Sequence, residues 1–299
     1  MRHDDHFDDA TQVIVSTRSR QEPLTALPPV YHASTIFFEN IDLYEEAVKS
    51  VVSGEPDRYA YGTAGTPTTA QLAQVISEVE GRGHDCRTAL VPSGKHAIIA
   101  VFLSFLSSGD HVLISDSVYG PARIFAEEEL TRFGIEVEFF DPLIDADSLS
   151  ERFRSSTRMI YLESPGTMTF DVIDVPAISA IARQNNILVA ADNAWGSPFF
   201  GKPFDWGVDI SILPLTKFWN GHSDLVMGAI VVRTQHWDPL WRYIQRTSPS
   251  VTSQDAYLVL RGVRTAAVRL KQHEATGMLL AHWLESQEEV ANVLPCLSA

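Results

Sequence analysis

The sequence predicts an α/β fold: a mostly parallel sheet flanked by helices on both faces. Two observations carry this. Between residues 88 and 232, short apolar runs alternate with stretches of helical spacing, the pattern of crossovers that leave neighbouring strands parallel and buried. The polar residues able to do chemistry fall just after apolar runs, where sheets of this kind place their ligand sites.

In chain order, residues 1–24 carry many charges and no apolar periodicity and read as a loose arm. TALPPVYHASTIFFEN, with Pro28, Pro29 and β-branched residues, reads as extended chain. Helical spacing runs from Asn40 to Ser53. The Gly/Thr/Pro-rich segment from Arg58 to Thr69 is a loop leading into a helix. That helix is capped by Thr68 or Thr69, buries Leu72, Val75, Ile76 and Val79, and stops at Gly81 and Gly83. Strands come next at 88–91, 111–115, 135–140, 157–163, 187–192, 209–213 and 226–232. Helices are expected over KHAIIAVFLSFL, PARIFAEEELTRF, DADSLSERF and VPAISAIARQNN, with Pro121 at a first-turn position. Residues 253–285 read as long helical sequence interrupted at Gly262.

The chain has 299 residues, 45% hydrophobic and 20% charged, enough to bury a sizeable core and inconsistent with wholesale disorder. It carries 23 basic and 38 acidic residues, a net charge of −15 that repels a phosphate backbone and argues against nucleic-acid binding. Two cysteines, Cys86 and Cys296, make neither a disulfide framework nor a zinc motif. No apolar run is long enough to span a membrane, and the acidic N-terminus is no secretory signal, so a soluble cytoplasmic protein is expected. There is neither a GxGxxG nor a Walker motif.

Four polar features fall at predicted strand ends: Ser93-Gly94-Lys95, Tyr119, Asp192 and Thr216-Lys217. Singly they have ordinary readings as an N-cap, a packed tyrosine, a capping carboxylate and a solvated lysine. Together they suit pyridoxal 5′-phosphate. A phosphate suits the backbone N–H groups at a helix start. A carboxylate keeps a pyridine nitrogen protonated, and the cationic ring is then an electron sink. A lysine amine can form a Schiff base, and an aromatic ring can stack on the cofactor plane.

These residues stand in a longer series: VYHAST (30–35), YGTAGTPTT (61–69), GDHVLISDSVYGP (109–121), FFDPLI (139–144), LESPGTMTF (162–170), DVPAI (174–178), ADNAW (191–195), DWGVDISI (205–212), TKFWNGHSD (216–224) and RGVRT…RLKQH (261–273). In that order they resemble the Cys/Met-metabolism family of pyridoxal-phosphate enzymes over roughly residues 25–295, with SPG-T leaning toward its β-lyase branch. The resemblance implies a fold-type I transferase-like architecture. It also implies a carbon–sulfur lyase that removes the α-proton and eliminates across the β-carbon of L-cystathionine or a related sulfur amino acid, giving homocysteine, pyruvate and ammonia.

It implies roles as well. Lys217 would be the Schiff-base lysine and proton carrier, and Thr216 would offer its hydroxyl to the phosphate. Ser93, Gly94 and Lys95 would form the phosphate turn, Tyr119 would stack on the ring and Asp192 would pair with its nitrogen. Tyr61 would reach the cofactor of a neighbouring subunit, which makes a homodimer or homotetramer with shared sites the expected assembly. His222 and Asp224 read as residues that order the lysine loop.

Three positions depart from the family text: Thr63 where a phosphate-clamping arginine is usual, Lys95-His96 where small or apolar residues are usual, and Pro214 in place of a small residue. The expected organisation is an N-terminal arm and segment over 1–60, a large cofactor-binding α/β domain over 61–255 and a helical connection over 256–299. That connection leads toward a small C-terminal domain the sequence does not reach, and no residue matches that domain's carboxylate-binding arginine. Alternatives to the lyase are a cofactor-binding homologue without lyase activity, and a family member acting on another amino acid by elimination or γ-replacement.

Overall fold

A computed structural model describes residues 9–20, 24–54, 58–196 and 198–294. Its centre is a seven-stranded sheet: β1 (Cys86–Val91), β2 (His111–Ser115), β3 (Glu136–Phe140), β4 (Thr157–Glu163), β5 (Leu188–Asp192), β6 (Ile210–Leu213) and β7 (Gly228–Arg233). The order across it is β1-β7-β6-β5-β4-β2-β3. β6, β5, β4, β2 and β3 run parallel, and β7 is antiparallel to both β6 and β1. Because β7 reverses direction between them, β1 points the same way as β6. The carboxyl ends of β1, β2, β4, β5 and β6 therefore share one edge of the sheet.

Alternate residues of each strand feed opposite layers. Ala190, Ile210, Ile212, Ile230 and Val232 pack with α4 (Gly94–Phe105), α5 (Gly120–Phe125) and α8 (Trp237–Thr247). Ala229 and Val231 pack with α3 (Pro67–Glu80) and α9 (Ser253–Val263). Val189 and Ala191 pack with α6 (Ala146–Ser150) and α7 (Val175–Gln184). Burial on both faces is why these strands read as near-continuous apolar runs. α2 (Ile41–Ser53) starts at Asn40, whose side chain accepts from the Leu43 N–H, and ends at Gly54 with φ +80°.

Several expectations need correction. Part of the N-terminal arm is ordered: Asp9–Ser16 forms α1, Val13 is buried against α3, and Arg264 donates to the Thr17 hydroxyl (2.7 Å). Residues 1–8 and Cys296 lie outside the described residues. The cap of α3 is Thr66, not Thr68 or Thr69. Thr66 and Thr69 bond reciprocally in a capping box and Pro67 opens the helix, so it starts earlier than the Thr pair suggests. The helix after Pro121 widens into a π-type turn over Ala126–Leu130. α8 has no counterpart among the expected helices; it buries Trp237, Leu240 and Ile244.

The helical stretch 253–285 breaks between α9 and α10 (Ala266–Glu285) at Arg264-Thr265, not at Gly262. Gly262 lies inside α9, where a Cβ would collide with the Asn220 carbonyl in the loop after β6. Its small size, not a helix break, is what the position needs. Gly262→Ala should therefore destabilise the chain by about 1–3 kcal/mol, the usual cost of forcing an extra methyl into a packed contact. Urea unfolding of the purified variant checks this, and an unchanged midpoint would contradict the contact.

Candidate active site

The shared edge of the sheet collects the polar residues. After β1, Ser93 caps α4 by accepting from the His96 N–H (3.0 Å). The first turn of α4 is pressed against the ends of β6 and β7: a Cβ on Gly94 would meet Pro214 at 2.8 Å, and one on Gly228 would collide with the Ser93 carbonyl. Glycine at both positions lets the N–H groups of this helix start lie beside the turn that carries Lys217. Lys95 is exposed in that first turn.

The lysine turn comes after β6. The Lys217 N–H donates to the Pro214 carbonyl (3.0 Å), and the Gly221 N–H donates to the Lys217 carbonyl (2.7 Å). Thr216 uses its hydroxyl locally, donating to the Met227 carbonyl (3.2 Å) and accepting from the Met227 N–H (3.1 Å). From the other side Arg269 of α10 donates to the carbonyls of Phe218 (3.0 Å) and Gly262 (2.9 Å), and burial lowers its pKa. Gly221, at φ +75°, leaves the room that the Arg269 guanidinium fills. The His222 ring shares a hydrogen bond with the Asn220 carbonyl (2.7 Å), and Asp224 accepts from the Asn220 amide (2.7 Å). Both residues thus order the loop.

β5 ends in Asp192, 6% exposed, whose Oδ1 accepts from the Ala194 N–H (3.1 Å). Next to it, Asn193 donates to Glu80 (2.8 Å), and Ser211 donates to the same Glu80 oxygen (2.6 Å). This buried network ties α3 and β6 to the strand end. Tyr119, 41% exposed, sits after β2 at the start of α5.

One further residue stands at this edge, to which the sequence pattern assigns no role. Glu163 ends β4, is 3% exposed and pairs in register with Asp192. It accepts from the Tyr119 N–H (2.6 Å) and from the Thr167 hydroxyl (2.6 Å). Little in a sequence distinguishes such a buried acid from a solvated strand end; the register pairing reveals it. Tyr161, fully buried two residues earlier, has its hydroxyl pKa raised by burial and by the Asp192 and Glu163 charges.

Ser93, Gly94, Lys95, Tyr119, Asp192, Thr216 and Lys217 therefore share one end of the sheet. Tyr61 does not join them within the chain. It is 49% exposed, bridges Thr35, and precedes Gly62–Gly65 on the wall of a separate cavity of about 670 Å3 among α2, α3 and α8.

Electrostatics at the strand ends are unbalanced. Burial raises the pKa of Asp192 well above the ordinary carboxylate range and the Glu163 charge raises it further, while the Ala194 N–H and the Lys217 charge oppose both. Burial raises Glu163 too, opposed by Thr167, the Tyr119 N–H and Lys217. A carboxyl whose pKa is higher folded than unfolded holds its proton more tightly when folded. Its contribution to stability is full below the unfolded value and is lost as pH rises through the folded one. The cofactor-free chain should lose thermal stability between about pH 4 and 8, and Asp192→Asn should reduce that loss. Melting curves across this range test it; an unchanged slope in the variant would refute the assignment.

Several known proteins are similar to this chain. The chain is 38% identical over 273 residues to an L-alanine/L-glutamate racemase of Wolbachia pipientis, covering 89% of this chain and 66% of the relative. It is 38% identical over 269 residues to a cystathionine beta-lyase of Bordetella avium, covering 89% of this chain and 65% of that enzyme. The chain thus spans just under two thirds of the length of these relatives. A solved Campylobacter jejuni structure containing pyridoxyl-lysine-5′-monophosphate superposes with a TM-score of 0.87 at 25% identity, covering 98% of this chain and 79% of that one. The family model described as Cys/Met metabolism PLP-dependent enzyme matches residues 10–298, and the chain belongs to that family.

Proposed function

We propose that the protein is a pyridoxal-phosphate-dependent carbon–sulfur lyase acting on L-cystathionine or a related sulfur amino acid. The observation that carries the reading is the pair of buried carboxylates, Asp192 and Glu163, facing a single lysine charge beside a glycine-lined helix start. The residues fit the family's cofactor. A cationic pyridine ring would relieve the negative excess at Asp192, and a phosphate would suit the first-turn N–H groups of α4. Lys217 would hold the aldehyde carbon, and Tyr119 would cover a ring face. When bound, pyridoxal phosphate supplies an electron sink for charge developing at the substrate α-carbon.

The chain's own groups then have defined tasks. The Lys217 amine, once free, takes the α-proton and can return a proton to the departing sulfur. Asp192 would keep a pyridine nitrogen placed beside it protonated. The Arg269 braces fix the backbone of the lysine turn, so that Nζ meets the proton in a narrow range of positions. The exposure of Tyr61 and its place outside the cluster suit a role in a second subunit's site, so we assign the working assembly as a homo-oligomer of at least two chains. Among the described residues, no helix is long and apolar enough to cross a membrane.

A racemase among the relatives supports a second reading, since racemisation and elimination share α-proton removal. They differ in the next step: return of the proton to the opposite face, or loss of the β-substituent. Incubation with L-cystathionine should give pyruvate, read by a coupled dehydrogenase assay. Incubation with L-alanine or L-glutamate should leave the enantiomer unchanged, and appearance of the D-form without pyruvate would favour the racemase. Borohydride should trap the cofactor on the peptide carrying Lys217, and Lys217→Ala should lose the visible absorbance. Retained absorbance would overturn the lysine assignment.

A further inference from the structure

We infer that Glu163 is a positioning residue: a buried clamp that fixes the Tyr119 backbone and the loop after β4 relative to Asp192. The inference rests on the cofactor site proposed above.

Glu163 uses its two oxygens in two directions. Oε2 accepts from the Tyr119 N–H and Oε1 from the Thr167 hydroxyl, each at 2.6 Å. Both contacts lie at the short end of the hydrogen-bond range. Nothing local demands a carboxylate here, since Tyr119 and Thr167 lie 44 and 4 residues away along the chain. A buried acid is otherwise costly, so its place is explained by what it joins.

Further contacts join the same two loops. The Thr167 N–H donates to the Ser117 carbonyl (2.7 Å), and a Cβ on Gly166 would meet the Ser117 side chain at 2.5 Å. The loop also reaches the segment after Asp192, where Phe170 packs edge-on to Trp195 with ring centroids 5.3 Å apart. Glu163 is thus the junction of the segments after β2, β4 and β5. Because Glu163 and Asp192 are register partners, one β-pair sets the aromatic residue and the carboxylate in fixed relation. The clamp needs two acceptor or compatible polar atoms on a buried stem, not the charge itself. A glutamine can accept from the Tyr119 N–H while its amide donates to the Thr167 hydroxyl.

Three variants of the full chain test this: Glu163→Ala, Glu163→Gln and Thr167→Val. In the cofactor-free protein, hydrogen exchange with mass spectrometry reads the peptides containing Tyr119 and residues 164–171. Glu163→Ala should speed exchange there about tenfold or more, the consequence of leaving the Tyr119 N–H and the Thr167 hydroxyl without their partner. Thr167→Val should speed exchange in 164–171, and Glu163→Gln should stay near wild type. In the pyridoxal-phosphate-loaded protein, visible circular dichroism reads the asymmetry of the cofactor's surroundings. Glu163→Ala should lose most of that signal while borohydride still labels Lys217, and Glu163→Gln should restore it.

Wild-type exchange and dichroism in Glu163→Ala would overturn the proposal and leave the cofactor reading intact. If Glu163→Ala does not fold, unchanged exchange in Thr167→Val, or a Glu163→Gln protein as loosened as a deletion, would overturn it instead. A wild-type protein that takes up no pyridoxal phosphate would overturn the cofactor reading and this role with it, whatever the exchange data show.

Discussion

The site is organised by an electrostatic imbalance: two carboxylates buried side by side on adjoining strands, with one lysine charge to oppose them. Burial alone makes an ionised carboxylate unfavourable, and a second one a β-pair away makes it worse. The imbalance arises from register. β4 and β5 are parallel, so their last residues, Glu163 and Asp192, must come out together. A one-residue slip of β5 would send Asp192 to the other face and part it from Glu163. The Asn193–Glu80–Ser211 network ties the end of β5 to β6 and α3, and the Glu163 bonds tie the end of β4 to the segment after β2.

The lysine depends on a second set of residues distant in sequence. Lys217 occupies a turn whose Phe218 carbonyl accepts from Arg269 and whose close approach to α9 requires Gly262. Helices α9 and α10 therefore help to hold the lysine turn in place. Gly94, Gly228, Gly221 and Gly262 serve one purpose, which is to let segments touch where a methyl would hold them apart. Packing of this kind makes the lysine turn rigid on one side and leaves its side chain exposed on the other.

Most of the sheet is legible in the sequence because its strands are buried on both faces and read as apolar runs. Asp192 and Lys217 are legible because they are polar residues just after such runs. The features that escape are set by contacts across the chain. Gly262 reads as a helix break until Asn220 is placed against it. Thr68 and Thr69 read as caps because the reciprocal bond between Thr66 and Thr69 has no composition signal beyond threonines three apart. α8 is different: the spacing of Trp237, Leu240 and Ile244 does carry a helical signal, diluted by the charged and polar residues between them. Glu163 is the least legible residue of the site. An acid at a strand end is ordinarily solvated, and only pairing with β5 and the fold-back of the Tyr119 loop make it a buried junction. Tyr61 marks a different boundary, since the subunit role proposed for it would rest on contacts that one chain does not contain.

The same arrangement explains why such a site is costly without its cofactor and suited to it when bound. Burying Asp192 and Glu163 opposes folding at neutral pH, because each must either keep a proton or stay charged in poor solvent. A cation placed against Asp192 removes that penalty, so part of its binding free energy is the relief of strain already present in the empty chain. Replacing Asp192 with a neutral residue helps the empty fold electrostatically and would remove the charge that holds a protonated ring. Stability and function pull in opposite directions at this position, as they do wherever polar groups are buried for chemistry. At Glu163 the two short hydrogen bonds return some of the cost of burial by fixing the loops that frame the site.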